Sequence, residues 1–343
     1  MQVKDIGEFQ LIETLGEIIG TEGLSLVERS GLLGFRLRLS IGDDAAAWDG
    51  PAGARVLTTD ALVEGVHFDL GRTGWAELGW KSLAVNLSDI AAMGCVPLYS
   101  VITLGLRGDL PVDGLAEMYR GMLQACHLHG GAIVGGDVVR SPVFFVAISM
   151  VGVASARGNG PEEQPLLSRA SANHGEEIAV TGSLGCAAGG LRMMLQGLGF
   201  DDETSAHLRD AHNRPTPRVA AGVLLARHGV VAAIDISDGL VGDLGKLCEA
   251  SGLGAEIHLG RLPADEFLKR AYPEQWLSLV LSGGEDYELL FTASPQVVDK
   301  LSNLLDVPVT VIGNIVKEPC RVTVLDRRGD TVKVEGSGWD HFR

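Results

Sequence analysis

The chain has 343 residues, is 46% hydrophobic and carries a formal net charge of −16. That length supports two domains with separate cores, and the strong acidity with no concentration of Lys or Arg argues against a nucleic-acid partner. The longest apolar run, "VFFVAISMVGVA", is too short to span a bilayer, and "MQVKDIGEFQLIETL" reads as an amphipathic helix, not as a signal segment. The expectation is a cytoplasmic protein with no membrane partner.

In chain order, "FRLRLSI" and "ARVLTTD" read as strands, joined through the turn-rich "GDDAAAWDGPAG". "WAELGWKSLAVNLSDIAAMG" has helical periodicity and stops at Gly94 before Cys95, Val96 and Pro97. A strand "SVITLGL", a helix "VDGLAEMYRGMLQACHLHG" and strands "AIVGG" and "VFFVAISMVGVA" follow. From Ser155 to Glu176 the chain turns polar and rich in Gly and Pro, so the predicted domains are 1–157 and 158–343. The second half restarts with strand "EEIAVTG", a Gly-rich turn into helix "GSLGCAAGGLRMML", and helix "PTPRVAAGVLLARHG" with Pro in its first turn. Strand "VVAAIDIS" leads into helix "DGLVGDLGKLCEASG", and "GEDYELLFTA", "VPVTVIGNIV" and the hairpin "CRVTVLDRRGDTVKVE" complete a mixed α/β pattern. The five cysteines are scattered without C-x-x-C spacing, which predicts buried free thiols.

Aspartates recur where these strands are predicted to end: Asp43 and Asp44, Asp60, Asp137, and Asp235 with Asp238 in "IDISDG". Strand ends carry the functional loops of α/β folds. Carboxylates gathered there without a counter-charge would repel one another. Oxygen donors flanked by Ser and Thr, with no Cys/His cluster at zinc-ligand spacing, point to a hard divalent ion such as Mg2+, which completes its shell with substrate phosphates. Ser82, Asn86 and Asp89 also share one face of an apolar helix.

Each segment alone has a plainer reading. Ser237-Asp238-Gly239 can be a helix N-cap, Asp43-Asp44 and Gly135-Gly136-Asp137 can be turns, and Asn86 and Asp89 can hydrogen-bond neighbouring loops. "TGSLGCAAGG" opens a helix and can cradle an anion but matches no standard phosphate loop. The inference rests on their joint occurrence.

Taken together, "IGDDAA", "TTDALVEGVHF", "KSLAVNLSDIAAMGCVP", "GGD", "RPTPR", "IDISDGLVGDLGKLCEASGLGAEI", "LSGGEDYELLFT", "VIGNI" and "GWDHF" occur in an order that resembles the thiamine-monophosphate kinases, from Gly7 to Phe342. These belong to the PurM-like, AIR synthetase-related superfamily. The resemblance implies ATP-dependent phosphorylation of thiamine monophosphate to thiamine diphosphate by direct in-line transfer. It places several Mg2+ ions on Asp44, Thr58, Thr59, Asp60, Asp89, Asp137, Asp235 and Asp238, with K+ a further candidate ion, and makes Asp60, Asp89 and Asp238 catalytic. It puts ATP on Gly136, Asp137, Arg169 and Ser237, and thiamine phosphate on His67, Glu285 and Trp339. The implied fold is a PurM-like pair of α/β domains, the N-terminal one pairing its sheet across a homodimer, with the site in the cleft between domains. Two departures stand out: Val138-Val139 follow Asp137 where the family carries hydroxyls, and Asn173 stands where it carries a lysine.

Other readings stay open at this point. An AIR synthetase-like enzyme shares the aspartates but leaves "GVHF" and "GWDHF" unexplained. Selenophosphate synthetase-like and hydrogenase-maturation relatives need an N-terminal reactive Cys or a C-terminal Cys tail, and the first cysteine here is Cys95 while the chain ends "DHFR". A non-catalytic nucleotide or thiamine-phosphate sensor, or a metal-dependent phosphatase, would differ in the products formed.

Overall fold

The structure, a computed structural model, describes residues 2–39, 47–51, 53–154, 166–318 and 320–333. Asp43, Asp44, Trp339 and the expected boundary at 157/158 lie outside the described residues. The chain divides into two compact units, Met1–Ile90 with Val96–Ala154, and Ala91–Cys95 with Ser155–Arg343.

The first unit holds α1 (Val3–Glu22), α2 (Leu24–Leu32), β1 (Arg36–Leu39), β2 (Ala47–Asp49), β3 (Arg55–Val63), α3 (Trp75–Ala92), β4 (Cys95–Leu106), α4 (Val112–His129), β5 (Ala132–Arg140) and β6 (Phe145–Ala154). β1 and β2 form a small antiparallel pair. The principal sheet runs β3-β6-β4-β5, with β3 antiparallel to β6 and β4 parallel to β5. The parallel pair is joined by α4, the crossover helix that parallel neighbours require. α3 is apolar on nearly all sides and buried accordingly, with Leu78, Leu83, Leu87 and Ile90 all at or near zero exposure. It packs so tightly on α4 that a Cβ on Gly121 would lie 2.0 Å from the carbonyl oxygen of Ala76, so only glycine permits that approach.

Two strand ends differ from the sequence reading. β3 continues three residues past Asp60 because all nine of its residues keep register with β6, from Arg55 opposite Val153 to Val63 opposite Phe145. β5 likewise runs through Gly135, Gly136 and Asp137, which are not a turn, because β4 pairs with them as far as Arg140.

The second unit holds β7 (Glu177–Thr181), α5 (Cys186–Gln196), α6 (Asp202–Asn213), α7 (Val219–Arg227), β8 (Ala232–Asp235), α8 (Leu240–Ser251), β9 (Gly254–His258), α9 (Glu266–Ala271), α10 (Trp276–Ser282), β10 (Leu289–Ala293), α11 (Pro295–Leu304), β11 (Val309–Val316), β12 (Val322–Leu325) and β13 (Thr331–Val332). Its seven strands are ordered β13-β12-β9-β11-β7-β10-β8, almost wholly antiparallel, with β12 parallel to β9. Ile178, Val180, Ile234, Leu244, Leu290 and Ile312 belong to one continuous core. Here too the local reading is corrected. α7 begins at Val219, after both prolines, and "GEDYE" is irregular up to β10. Four cysteines are buried as free thiols, but Cys320 is exposed. No helix among the described residues is long and apolar enough to cross a membrane.

Candidate active site

In the first unit the alternation of β3 places Thr58 and Asp60 on one face of the strand and Thr59 on the other. Thr58 Oγ1 donates a hydrogen bond to Asp89 Oδ2, which joins β3 to the last turn of α3. Thr59 is engaged elsewhere: its hydroxyl donates to the Ile148 carbonyl at 3.0 Å and accepts from Ser149 Oγ at 3.1 Å. The polar face of α3 therefore splits. Ser82 Oγ donates to the Gly79 carbonyl and Asn86 Nδ2 to the Ser82 carbonyl, so these two satisfy their own helix. Only Asp89 of the three is joined to a predicted site residue, although Asn86 Oδ1 is left without a partner in a fully buried side chain.

Gly136 and Asp137 stand exposed on β5, opposite Ile102 and Thr103 of β4. A Cβ at Gly136 would come within 2.2 Å of the Ile102 carbonyl oxygen, so glycine is a packing requirement there. His67 lies in the loop after β3, where its Nδ1 accepts the Val63 amide at 3.1 Å. That bond assigns the ring proton to Nε2 whenever the ring is neutral.

In the second unit, two loops run side by side. Asp235 ends β8 opposite Leu289, and Ile236 and Ser237 continue the pairing. The Ile236 amide donates to Glu288 O at 2.8 Å, the Tyr287 amide to Ile236 O at 2.9 Å and the Glu285 amide to Ser237 O at 2.7 Å. Ser237 and Glu285, predicted for different ligands, are thus adjacent. The pairing requires left-handed backbone at two non-glycine residues, Glu285 at φ 69° and Tyr287 at φ 51°, a conformation that costs on the order of 1–3 kcal/mol each and clusters at ligand-binding sites. The Glu285 carboxylate also lies 3.0 Å from Nδ1 of the buried His212.

Ser237 and Asp238 do not cap the following helix. α8 starts at Leu240 with Gly239 as its N-cap and no side-chain cap. Asp243, one turn inside, reaches back instead: its Oδ2 accepts the amides of Ser237, Asp238 and Gly239 at 3.0, 2.9 and 3.1 Å. Lys246 closes the arrangement by donating to both Asp238 and Asp243. Burial pushes the Asp243 carboxyl up, opposed by Lys246 and the Asp238 amide. Sequence reasoning missed Asp243, yet it left a signal: an acid at the fourth position of α8 sits between Leu240 and Leu247 on the helix's apolar face.

The Gly-rich "TGSLGCAAGG" does open α5, but its amides are already occupied. Asp286 accepts the Gly185 amide at 2.7 Å and the Ala187 amide at 3.4 Å, an internal carboxyl group in place of a ligand. The residue keeps some solvent contact while its carboxylate points inward, and burial of that group pushes its pKa up to about 8 against the lowering effect of the two amides. Arg169 is exposed on a single 3-10 turn, Arg169–Ser171. Its neighbour Asn173, the departure noted above, bonds Glu176 through its amide nitrogen and side chain, both at 3.0 Å, so the loop is held without a lysine.

Comparison with known proteins accounts for this order of features. The AIR synthase related protein models match in both halves, the N-terminal domain over residues 42–154 and the C-terminal domain over residues 173–325. The thiamine-monophosphate kinase of Escherichia coli (strain K12) is 36% identical over 98% of this chain and 98% of its own. The chain belongs to the thiamine-monophosphate kinase family. Among solved structures, the family member from Stenotrophomonas maltophilia K279a superposes with a TM-score of 0.78 at 35% identity, covering 91% of this chain and 97% of that one. A second, AaThiL complexed with AMPPCP and TMP, superposes with a TM-score of 0.75 at 31% identity over 100% and 99% of the two chains. The PurM-like two-domain fold of this family is therefore the fold described here.

Proposed function

We propose that the chain phosphorylates thiamine monophosphate to thiamine diphosphate with ATP as co-substrate. The observation that carries this reading is near-full-length similarity to a relative complexed with AMPPCP and TMP, joined to two carboxylate groups, Asp89 held by Thr58 from 31 residues away and Asp238 held with Asp243 by Lys246.

The residues present fit Mg2+. The donors are oxygens only, the chemistry a hard divalent ion selects, and the Lys246 ammonium at Asp238 marks a position that accepts positive charge. Asp60, Asp89 and Asp137 of the first unit and Asp235 and Asp238 of the second would hold the ions, with Thr58 supporting Asp89; Thr59 would contribute through its carbonyl, since its hydroxyl is engaged. Bound there, Mg2+ supplies charge screening between two phosphate-bearing substrates.

A terminal oxygen of the acceptor phosphate attacks the γ-phosphorus, the bond from that phosphorus to the β–γ bridging oxygen breaks, and ADP leaves with the electron pair. The acceptor is ionised near neutral pH, so no strong base is needed, and the protein's task is alignment. Ser237, Gly136 and Arg169 would position the nucleotide, and His67 and Glu285, together with Trp339 beyond the described residues, the thiamine phosphate. The open face of β3, where Leu57 is 75% exposed, is the surface that homodimeric pairing of the sheets would cover.

The test is product analysis of the purified chain with Mg2+ and ATP, with and without thiamine monophosphate. Thiamine diphosphate and ADP in equal amounts, lost in folded Asp60→Asn and Asp238→Asn proteins, is the expected result. ATP binding without turnover, or free phosphate without thiamine diphosphate, would replace this reading with a sensor or a phosphatase.

A further inference from the structure

Three side chains from separate elements of the second unit converge beside the turn that Asp286 holds: Cys186 at the start of α5, His207 in the middle of α6 and Asp265, the N-cap of α9. Their ligand atoms all lie within 4.8 Å of one another. Cys186 Sγ is 3.8 Å from His207 Nε2, and Asp265 Oδ2 is 3.4 Å from the same Nε2.

The shared nitrogen decides between readings. In a Cys-His-Asp relay the thiol and the carboxylate engage opposite nitrogens of the ring, whereas here both face Nε2. Burial, reinforced by Asp265 and Asp286, pushes the Cys186 thiol up, so the free thiol is not an activated nucleophile. A simple His–Asp ion pair leaves the sulfur unexplained. The two separations at His207 match edges of a tetrahedron around a metal: with Zn–S of about 2.3 Å and Zn–N and Zn–O of about 2.0–2.2 Å, the S–N and N–O edges are about 3.6 and about 3.4 Å.

Two further contacts hold the ligands in place. Asp265 Oδ1 accepts the Phe267 amide at 2.7 Å, which turns Oδ2 toward His207. The imidazole stacks on Phe267 at 4.4 Å between centroids and 26° between planes, which fixes the ring. Cys186 is 5% exposed and seated in the core, while His207 keeps 38% of its side chain in solvent, so an ion has a path of entry and room for a water as fourth ligand.

We propose that Cys186, His207 and Asp265 bind a borderline-soft divalent transition-metal ion, Zn2+ by chemistry, in a three-ligand site separate from the oxygen-only Mg2+ set. On binding, the S–H bond of Cys186 breaks, sulfur keeps the electron pair and forms the S–metal bond, and the proton passes to solvent. The inference is independent of the proposed phosphorylation.

The test is titration of the untagged full chain, with Cys320 replaced by Ser to remove the exposed thiol, with Co2+ followed by Zn2+ competition, in millimolar Mg2+. The expected result is one equivalent of Co2+ with a sulfur-to-cobalt charge-transfer absorption, displaced by Zn2+. The absorption is lost in Cys186→Ser, and affinity falls at least about tenfold in His207→Gln and Asp265→Asn. His207 is partly exposed, and the Asp265→Asn change retains an N-cap oxygen, so these two variants keep the test valid if Cys186→Ser fails to fold. Absence of the absorption in the parent, or unchanged affinity in the His207→Gln protein, overturns the proposal.

Discussion

Replacing Asp243 with Ala isolates the device that holds the Ser237–Gly239 loop. The substitution strands the three amides that its carboxylate accepts, in a side chain 1% exposed. The Gly239 donor is buried and those of Ser237 and Asp238 are part-buried, and leaving them unsatisfied at about 1–2 kcal/mol each sums to about 3–5 kcal/mol. Lys246 is 42% exposed, so its own bond adds little. The expected loss is therefore about 3–5 kcal/mol, and Asp243→Asn, which retains an acceptor oxygen, should lose about 1–2 kcal/mol. Urea denaturation reads the stability, and amide hydrogen exchange at Ser237, Asp238 and Gly239 reads the mechanism. Loop displacement by about 1 Å should also lower turnover on the order of 100-fold. An Asp243→Ala protein within about 1 kcal/mol of the parent, with unchanged protection at those three amides, would refute the reasoning.

Asp286 should make stability pH-dependent: its folded pKa of about 8 exceeds the ordinary value of 3.8, so the folded state binds the extra proton and stability falls as pH rises from about 4 to about 8. Asp286→Asn should remove that part of the slope in denaturation series across this range; an unchanged slope would exclude the assignment. Gly136→Ala drives a methyl into the Ile102 carbonyl and should cost about 1–3 kcal/mol, read by thermal unfolding, with a Tm equal to the parent's counting against the close approach. Arg218 donates to both oxygens of the buried Glu288, at 2.7 and 2.5 Å, so Arg218→Ala should destabilise by about 3–5 kcal/mol. Arg218→Lys, which cannot make the paired contact, should recover only part of that loss in the same chemical denaturation.

Local pattern was enough to locate most strands and helices and to see that the chemistry is oxygen-based, because side-chain period and donor type are properties of neighbouring residues. Helices α2, α6, α9, α10 and α11 escaped it; α9 and α10 are only six and seven residues long, and the 12-residue α6 is polar with little apolar stripe to detect. Strand ends were misplaced for a different reason. Asp60 and Asp137 lie within strands because β3 and β5 extend as far as β6 and β4 offer partners, and a partner is not a local quantity.

By itself the order of motifs determined the family, and the composition determined that hard-ion chemistry was available. Only the tertiary structure decided which groups cooperate. Thr58 meets Asp89 and not its neighbour Thr59, Asp286 crosses 101 residues to take the Gly185 amide, and Cys186, His207 and Asp265 meet from three helix segments. Each pairing lowers the free energy of a buried polar group only after the surrounding core has expelled water, so its partner is chosen by packing and not by proximity in sequence.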